Sequence, residues 1–306
     1  MMKIAQRAQR IEPFYVMEVA KAATERAALV AHTDAPMIFL NIGEPDFTAP
    51  PLVQEAAARA VHDGVTQYTP ALGIPELRER ISAWYSTRFG VNVPARRIVI
   101  TAGASAALQL ACLALIEAGD EVLMPDPSYP CNRHFVSAAE GRAVLVPTTA
   151  AERFQLSAAQ VRANWTAHTR GVLLASPSNP TGTSIHPDEL RAIHNEVSQR
   201  GGTTLIDEIY LGLSYDEQLG QSALGIDDQI ISINSFSKYF NMTRLARPPS
   251  ASVAVTRNWS SSLAGRWYLT VVSLTTNMPP VSSRKACWPM PRARSHSVRA
   301  RSKNLR

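Results

Sequence analysis

RIVITAGASAALQLACLALIEAGDEVLMPDPSYP, residues 97–130, decides the fold. It begins with RIVIT (97–101), a short β-branched apolar run of the kind that is buried on both faces of a sheet. Gly103 then opens a run of helix formers that reaches Glu117 and is stopped by Gly119-Asp120. EVLMP (121–125) is a second buried-type strand, and PSYP (127–130) turns the chain back. Strand, covering helix and strand again form the crossover unit of a parallel sheet.

The same alternation continues outward. CNRHFVSAAEG (131–141) is expected to be a helix closed by Gly141, followed by the apolar runs AVLVP (143–147), GVLLAS (171–176), TTLIDE (203–208) and IISINSF (230–236). Helical segments at 157–164 and 187–200 separate some of them. Upstream, the spacing predicts helices over 14–31, 51–63 and 74–88, with Pro75 tolerated in a first turn, and a short strand in MIFLN (37–41). The fold class is therefore α/β, a mostly parallel sheet sandwiched by helices. In such sheets ligands bind beyond the carboxyl ends of the strands.

Apolar residues make up 45% of the 306-residue chain and charged residues 18%, which excludes a disordered polyelectrolyte. No run approaches the ~18 uncharged apolar residues of a membrane span, and the N-terminus lacks the apolar core of a secretory signal. Three cysteines (Cys112, Cys131, Cys287) without metal-ligand spacing argue against disulfides and zinc, and the seven histidines show no paired spacing. The expected location is the cytoplasm. The net charge of +6 hides an asymmetry: Arg244–Arg306 holds ten Arg, two Lys and no acidic residue, while the first 243 residues hold 19 basic and 25 acidic ones. The alternation of strands and helices also stops after Met242. The expected organisation is an arm with a helix over 1–37, a main domain over 38–243, and a basic Arg/Ser/Pro-rich tail over 244–306.

Several polar residues fall at strand ends. Lys238 follows an apolar strand and is flanked by Ser235 and Ser237, which suits an imine with an aldehyde cofactor and hydroxyl contacts to a phosphate. TAGAS (101–105) places Ala104 and Ser105 at a helix start, where free N–H groups form an anion site. Asp207 ends a strand in LIDEIY and needs a cationic partner if buried, which a protonated pyridine nitrogen supplies. Tyr210 lies three residues on, and Asn179 in SPSNPTG (176–182) offers an amide. Each also has a plain structural reading: a surface lysine, a tight βα turn, a helix cap for Asp207, a turn cap for Asn179.

Taken together and in order, NIGEPDF (41–47), YTPALGIPELR (68–78), TAGAS, PDPSYP (125–130), SPSNPTG, DEIY (207–210) and SFSK (235–238) resemble the fold-type I aminotransferases, which use pyridoxal 5'-phosphate. The spacings fit as well, with 28 residues from Asn179 to Asp207 and 31 from Asp207 to Lys238. The resemblance covers about two thirds of the chain and makes residues 38–243 a cofactor-binding large domain. It implies that Lys238 is the Schiff-base lysine that also moves the substrate α-proton, and that Asp207 pairs with the pyridinium nitrogen. It further implies that Asn179 and Tyr210 hold the ring oxygen, and that Tyr129 stacks on the ring, where the alternative is an apolar turn anchor. Ala104, Ser105, Ser235 and Ser237 would hold the phosphate, and Gly43, with Asn179, would face the substrate carboxylate. Tyr68 is similar to the tyrosine that reaches a partner subunit's phosphate, which implies a homodimer. The substrates implied are an amino acid and a 2-oxo acid.

The sequence departs from the family after SFSK. A Gly-x-Arg segment is expected there, but the chain reads RLARPPS (244–250), with Ala246 where the phosphate-gripping arginine belongs. The rest of the large domain and the small C-terminal domain are not recognisable. Arg-Leu-Ala can be written CGG CTG GCG, and one base later the same bases read Gly-Trp-Arg. The expectation is thus a frameshift near codon 244, followed by an out-of-frame, disordered tail. Three readings follow: an aminotransferase or a related lyase on the same scaffold; an inactive aminotransferase fragment; and a nucleic-acid-binding protein acting through the tail. The last is disfavoured, because the tail's basic residues match no known motif.

Overall fold

Each apolar run of the alternating pattern becomes a strand, and the two-residue period along the strands sorts their side chains onto two covered faces. The computed structural model describes residues 4–43, 48–65 and 67–242, together with the backbone of 271–273. In chain order the elements are α1 (Gln6–Gln9), α2 (Tyr15–Val30), α3 (Pro51–His62), α4 (Pro75–Phe89), β1 (Ile98–Ile100), α5 (Ala104–Leu115), β2 (Glu121–Asp126) and α6 (Pro130–Ala138). They continue with β3 (Arg142–Pro147), α7 (Ala158–Asn164), β4 (Thr169–Ala175), α8 (Pro187–Ser198), β5 (Thr203–Asp207), β6 (Ile231–Ile233) and β7 (Val271–Ser273). The sheet order is β1-β7-β6-β5-β4-β2-β3. β3, β2, β4, β5 and β6 are mutually parallel, whereas β7 runs antiparallel to both β1 and β6. This is the expected α/β class, a mostly parallel sheet with helices on both faces.

The two faces can be followed residue by residue. Val122, Met124, Leu173, Leu205, Ile231 and Ile233 pack with Ala107, Leu108, Ala111 and Cys112 of α5 and Val136 of α6. Their alternating neighbours Leu123, Val172, Leu174 and Ile206 pack on the other side with Val161 of α7 and Leu190, Ile193 and Val197 of α8. A third cluster joins Leu77, Ile81 and Tyr85 of α4 to Ile98, Ile100, Phe236 and Met242. Burying a leucine- or isoleucine-sized side chain contributes ~1.5–3 kcal/mol, so these faces hold the strands in one register. Pairing aligns Ala175 with Asp207 and Asp207 with Ile233. The loops after β4, β5 and β6 therefore leave the sheet at one edge, side by side.

Two segments differ from the expectation. MIFLN (37–41) is irregular rather than a strand, and Ile38 and Leu40 are 77% and 90% exposed. Its apolar composition favours a strand, but no strand of the described sheet pairs with it, and without a pairing partner β-propensity alone does not form one. The other is β7, which comes from within the segment read as a tail. Its backbone fills the space between β1 and β6, so that β1 runs in the same direction as β6. The remainder of 244–306, including Ala246 and the arginines beside it, lies outside the described residues. The N-terminal helix expected over 14–31 is α2, which buries none of its side chains among the described residues.

Candidate functional site

The carboxyl ends of β4, β5 and β6 deliver three loops to the same edge, and the polar residues singled out in the sequence sit on them. Asp207 is the last residue of β5 and only 6% exposed. Its Oδ1 accepts the Ile209 N–H at 2.9 Å. No cation pairs with it among the described residues. Burial pushes its carboxyl up to about 6, partly opposed by the Ile209 hydrogen bond. A buried carboxylate held this way is costly unless a positive group meets it.

Tyr210 lies one turn on, with its phenol raised by burial and by the Asp207 charge, while a hydrogen bond from the Asn179 side chain works in the opposite direction. Asn179 therefore reaches Tyr210 from the loop after β4, as the sequence suggests for two groups sharing one acceptor. Lys238 Nζ lies 5.6 Å from the centroid of the Tyr210 ring. Tyr129, at the start of α6, joins the same group. Its phenol is raised by burial first, then by contact with Cys131 and by the charges of Tyr210 and Asp207. The Phe14 ring meets it edge-on at 5.9 Å.

Beyond β6 the chain turns through Ser235 and Ser237. Their hydroxyls lie 2.9 Å apart, and the Ser237 N–H donates to Ser235 Oγ at 3.1 Å. α5 begins at the same edge, opened by Gly103 at φ +88°, a conformation that side chains disfavour. No side chain caps this helix, so Ala104 and Ser105 present first-turn N–H groups free of intrahelical partners. Aromatic packing clamps the lysine segment: Phe236 on Phe240 at 4.8 Å, Tyr239 on Phe240 at 4.9 Å, and Trp84 of α4 on Phe240 at 5.6 Å.

Two predicted residues stand apart in this chain. Tyr68 is fully exposed, and Gly43 is exposed with nothing within 4 Å of where a Cβ would stand. Conversely, the sequence reading passes over Glu208, although it stands next to Asp207 in DEIY. Glu208 is 1% exposed and is pushed up to about 7 by burial, against hydrogen bonds from Ser232, the Ala223 N–H and Ser222. Tyr85 and Asn234 likewise escape it, because nothing local in the sequence marks a tyrosine on α4 as a partner of residues after β6. Among the described residues no group of His, Cys, Asp and Glu could hold a metal, and no helix is long and apolar enough to cross a membrane.

The donor set has a definite chemical complement. It asks for a cationic ring nitrogen at Asp207, a ring oxygen at Asn179 and Tyr210, an aldehyde at Lys238 and an anion at the Ser235–Ser237 turn and the α5 start. Pyridoxal phosphate carries all four groups, and the buried Asp207 carboxylate, which no cation meets among the described residues, is the observation that tests the fit.

Comparison with known proteins agrees. The family described as aminotransferase class I and II matches residues 35–263. A valine–pyruvate aminotransferase of Mycobacterium tuberculosis is 42% identical over 234 residues, covering 76% of this chain and 59% of that protein. A probable aspartate aminotransferase of Methanocaldococcus jannaschii is 35% identical over 240 residues, 78% of this chain and 60% of that protein. Among solved structures, an aminotransferase from M. tuberculosis superposes with a TM-score of 0.74 at 41% identity, covering 80% of this chain and 62% of the other. A single mutant of Thermus thermophilus aspartate aminotransferase gives 0.72 at 30%, covering 80% and 63%. The chain thus spans about three fifths of the length of these relatives. With the sheet order, the buried carboxylate and these matches in agreement, the chain belongs to the class I and II aminotransferases, a family that works with pyridoxal phosphate.

Proposed function

We propose that this chain moves an amino group between an amino acid and a 2-oxo acid with pyridoxal phosphate bound at the carboxyl edge of the sheet. The observation that carries the reading is buried Asp207, near the Tyr210 that Asn179 and Lys238 also approach, and lacking a cationic partner among the described residues. The cofactor supplies an electron sink for the charge that develops at the substrate α-carbon. Asp207 keeps a proton on the ring nitrogen, since a carboxylate already raised to about 6 gains most from an adjacent cation. Asn179 and Tyr210 hold the ring oxygen, and Tyr129 lies against the ring face. Ala104, Ser105, Ser235 and Ser237 bind the phosphate. Lys238 holds the aldehyde carbon and then carries the proton at the α-carbon.

Gly43 brings its backbone to the substrate carboxylate in this reading. Exposed Tyr68 reaches the phosphate of a second copy, so the working form is a homodimer in the cytoplasm. Residues 38–243 carry the cofactor site, the preceding 37 residues form an arm, and the basic segment from 244 has no specific nucleic-acid partner. The persistence of the Asp207 cluster favours an active transferase over an inactive fragment. Valine with pyruvate, and aspartate as an alternative amino donor, are the first substrates to assay, since the relatives' names contain these three compounds. The primary test is the visible spectrum with added pyridoxal phosphate. The wild type is expected to show a band that Lys238→Ala lacks; absence of a Lys238-dependent band sinks the reading.

A further inference from the structure

Tyr85 is an unusual residue to find buried behind this site. It lies on α4 with 0% exposure, 149 positions from its hydrogen-bond partner Asn234. Asn234 Nδ2 donates to the Tyr85 hydroxyl at 3.2 Å, and Asn234 Oδ1 accepts the Ser235 N–H at 2.7 Å. One amide thus uses both its ends, the first on α4 and the second on the backbone of the turn that carries the two serine hydroxyls. On the far side the Tyr85 oxygen meets Ser232, whose hydroxyl donates to buried Glu208. Glu208 in turn accepts from Ser222 at 3.0 Å and from the Ala223 N–H at 2.7 Å. Trp84 meets the ring edge-on at 5.1 Å and Phe89 packs tilted against it at 5.6 Å, so the hydroxyl is presented from a packed, fixed position.

From this we infer that Tyr85 is a positioning residue for the phosphate-binding turn, acting through Asn234 on the Ser235 N–H and thereby on the Ser235–Ser237 hydroxyl pair. The inference rests on the proposed cofactor site and adds a residue to it that touches neither cofactor nor substrate. The physical argument is one of satisfaction. Without the hydroxyl, Asn234 Nδ2 is buried with a donor unmet. The amide then turns to recover a partner, and the Ser235 N–H loses the acceptor that orients it. The consequence falls on the phosphate end of the ligand and not on the ring end, where Asp207, Asn179 and Tyr210 are held by other contacts.

This separates a positioning role from a merely structural one. The test compares binding of pyridoxal phosphate and of pyridoxal, which lacks the phosphate, to the full chain as wild type and as Tyr85→Phe, read by the Lys238-dependent absorbance band. Tyr85→Phe is expected to weaken pyridoxal phosphate by about three- to tenfold, the worth of one buried hydrogen bond, and to leave pyridoxal unchanged. Equal loss for both ligands, or no loss for either, overturns the inference. Should Tyr85→Phe yield no soluble protein, Asn234→Ala removes the same link and is judged by the same ratio. A wild type without any Lys238-dependent band removes the cofactor reading itself, which is a different result from a wild-type band with an unchanged preference in the variant.

Discussion

Replacing Asp207 by Asn should stabilise the protein without cofactor and cripple it with cofactor. In the free chain the Asp207 carboxyl rises from 3.8 to about 6, chiefly through burial. One pKa unit corresponds to about 1.4 kcal/mol, so keeping the charged form buried costs about 3 kcal/mol of folding free energy at neutral pH. The sign follows from linkage. Below the unfolded value both states are protonated and the group contributes nothing. Between that value and about 6 the folded state binds more protons, so stability falls as pH rises, and above about 6 the full cost is present. The amide introduced by Asp207→Asn still accepts the Ile209 N–H through its carbonyl oxygen but carries no charge. Urea unfolding of wild type and Asp207→Asn, without cofactor, should therefore show the variant more stable by about 3 kcal/mol at pH 8 and by little at pH 4. With pyridoxal phosphate present the order inverts, because the ring cation loses its counter-charge and affinity drops by about a hundredfold or more. A gain of equal size at both pH values would refute the reasoning, since it would show that packing and not charge sets the difference.

Three further outcomes follow from the described contacts. His194 is buried on α8 with Nδ1 3.0 Å from Thr204 Oγ1, and burial lowers its pKa; the unfolded chain is therefore protonated first, stability declines as pH falls below the ordinary histidine value, and His194→Gln should flatten that decline in melting curves at pH 5 and 7.5. Gly212 sits at φ +96° with a would-be Cβ 2.7 Å from the Tyr239 ring, so Gly212→Ala should destabilise by roughly 1–3 kcal/mol in denaturant titration and weaken the Lys238-dependent band by displacing the lysine's neighbour. Leu123 on β2 is fully buried, and Leu123→Ala should cost roughly 2–5 kcal/mol of unfolding free energy.

The order of strands and helices from α4 to β6, the α/β class and the placing of Asn179, Asp207 and Lys238 just past strand ends were legible in the sequence, because each depends on short-range information. A two-residue or helical period, a glycine at a helix boundary and a polar residue just past an apolar run are read within a few positions. Parallel connection then forces those run ends to one edge, which is why residues far apart in sequence form one site. What remained illegible depends on partners supplied from elsewhere in the chain. MIFLN has the composition of a strand, yet no strand of the described sheet pairs with it. Val271–Ser273 is three residues long within a segment lacking any period, yet it lies between β1 and β6. The Tyr85–Asn234 contact joins a helix to a loop across 149 positions, and no local pattern encodes it. From α4 to β6, the sequence by itself determined which elements form and which chemical groups stand at their ends. Only the tertiary structure decided which buried polar atoms meet, because hydrogen-bond satisfaction in a packed interior is settled by distance in space and not along the chain.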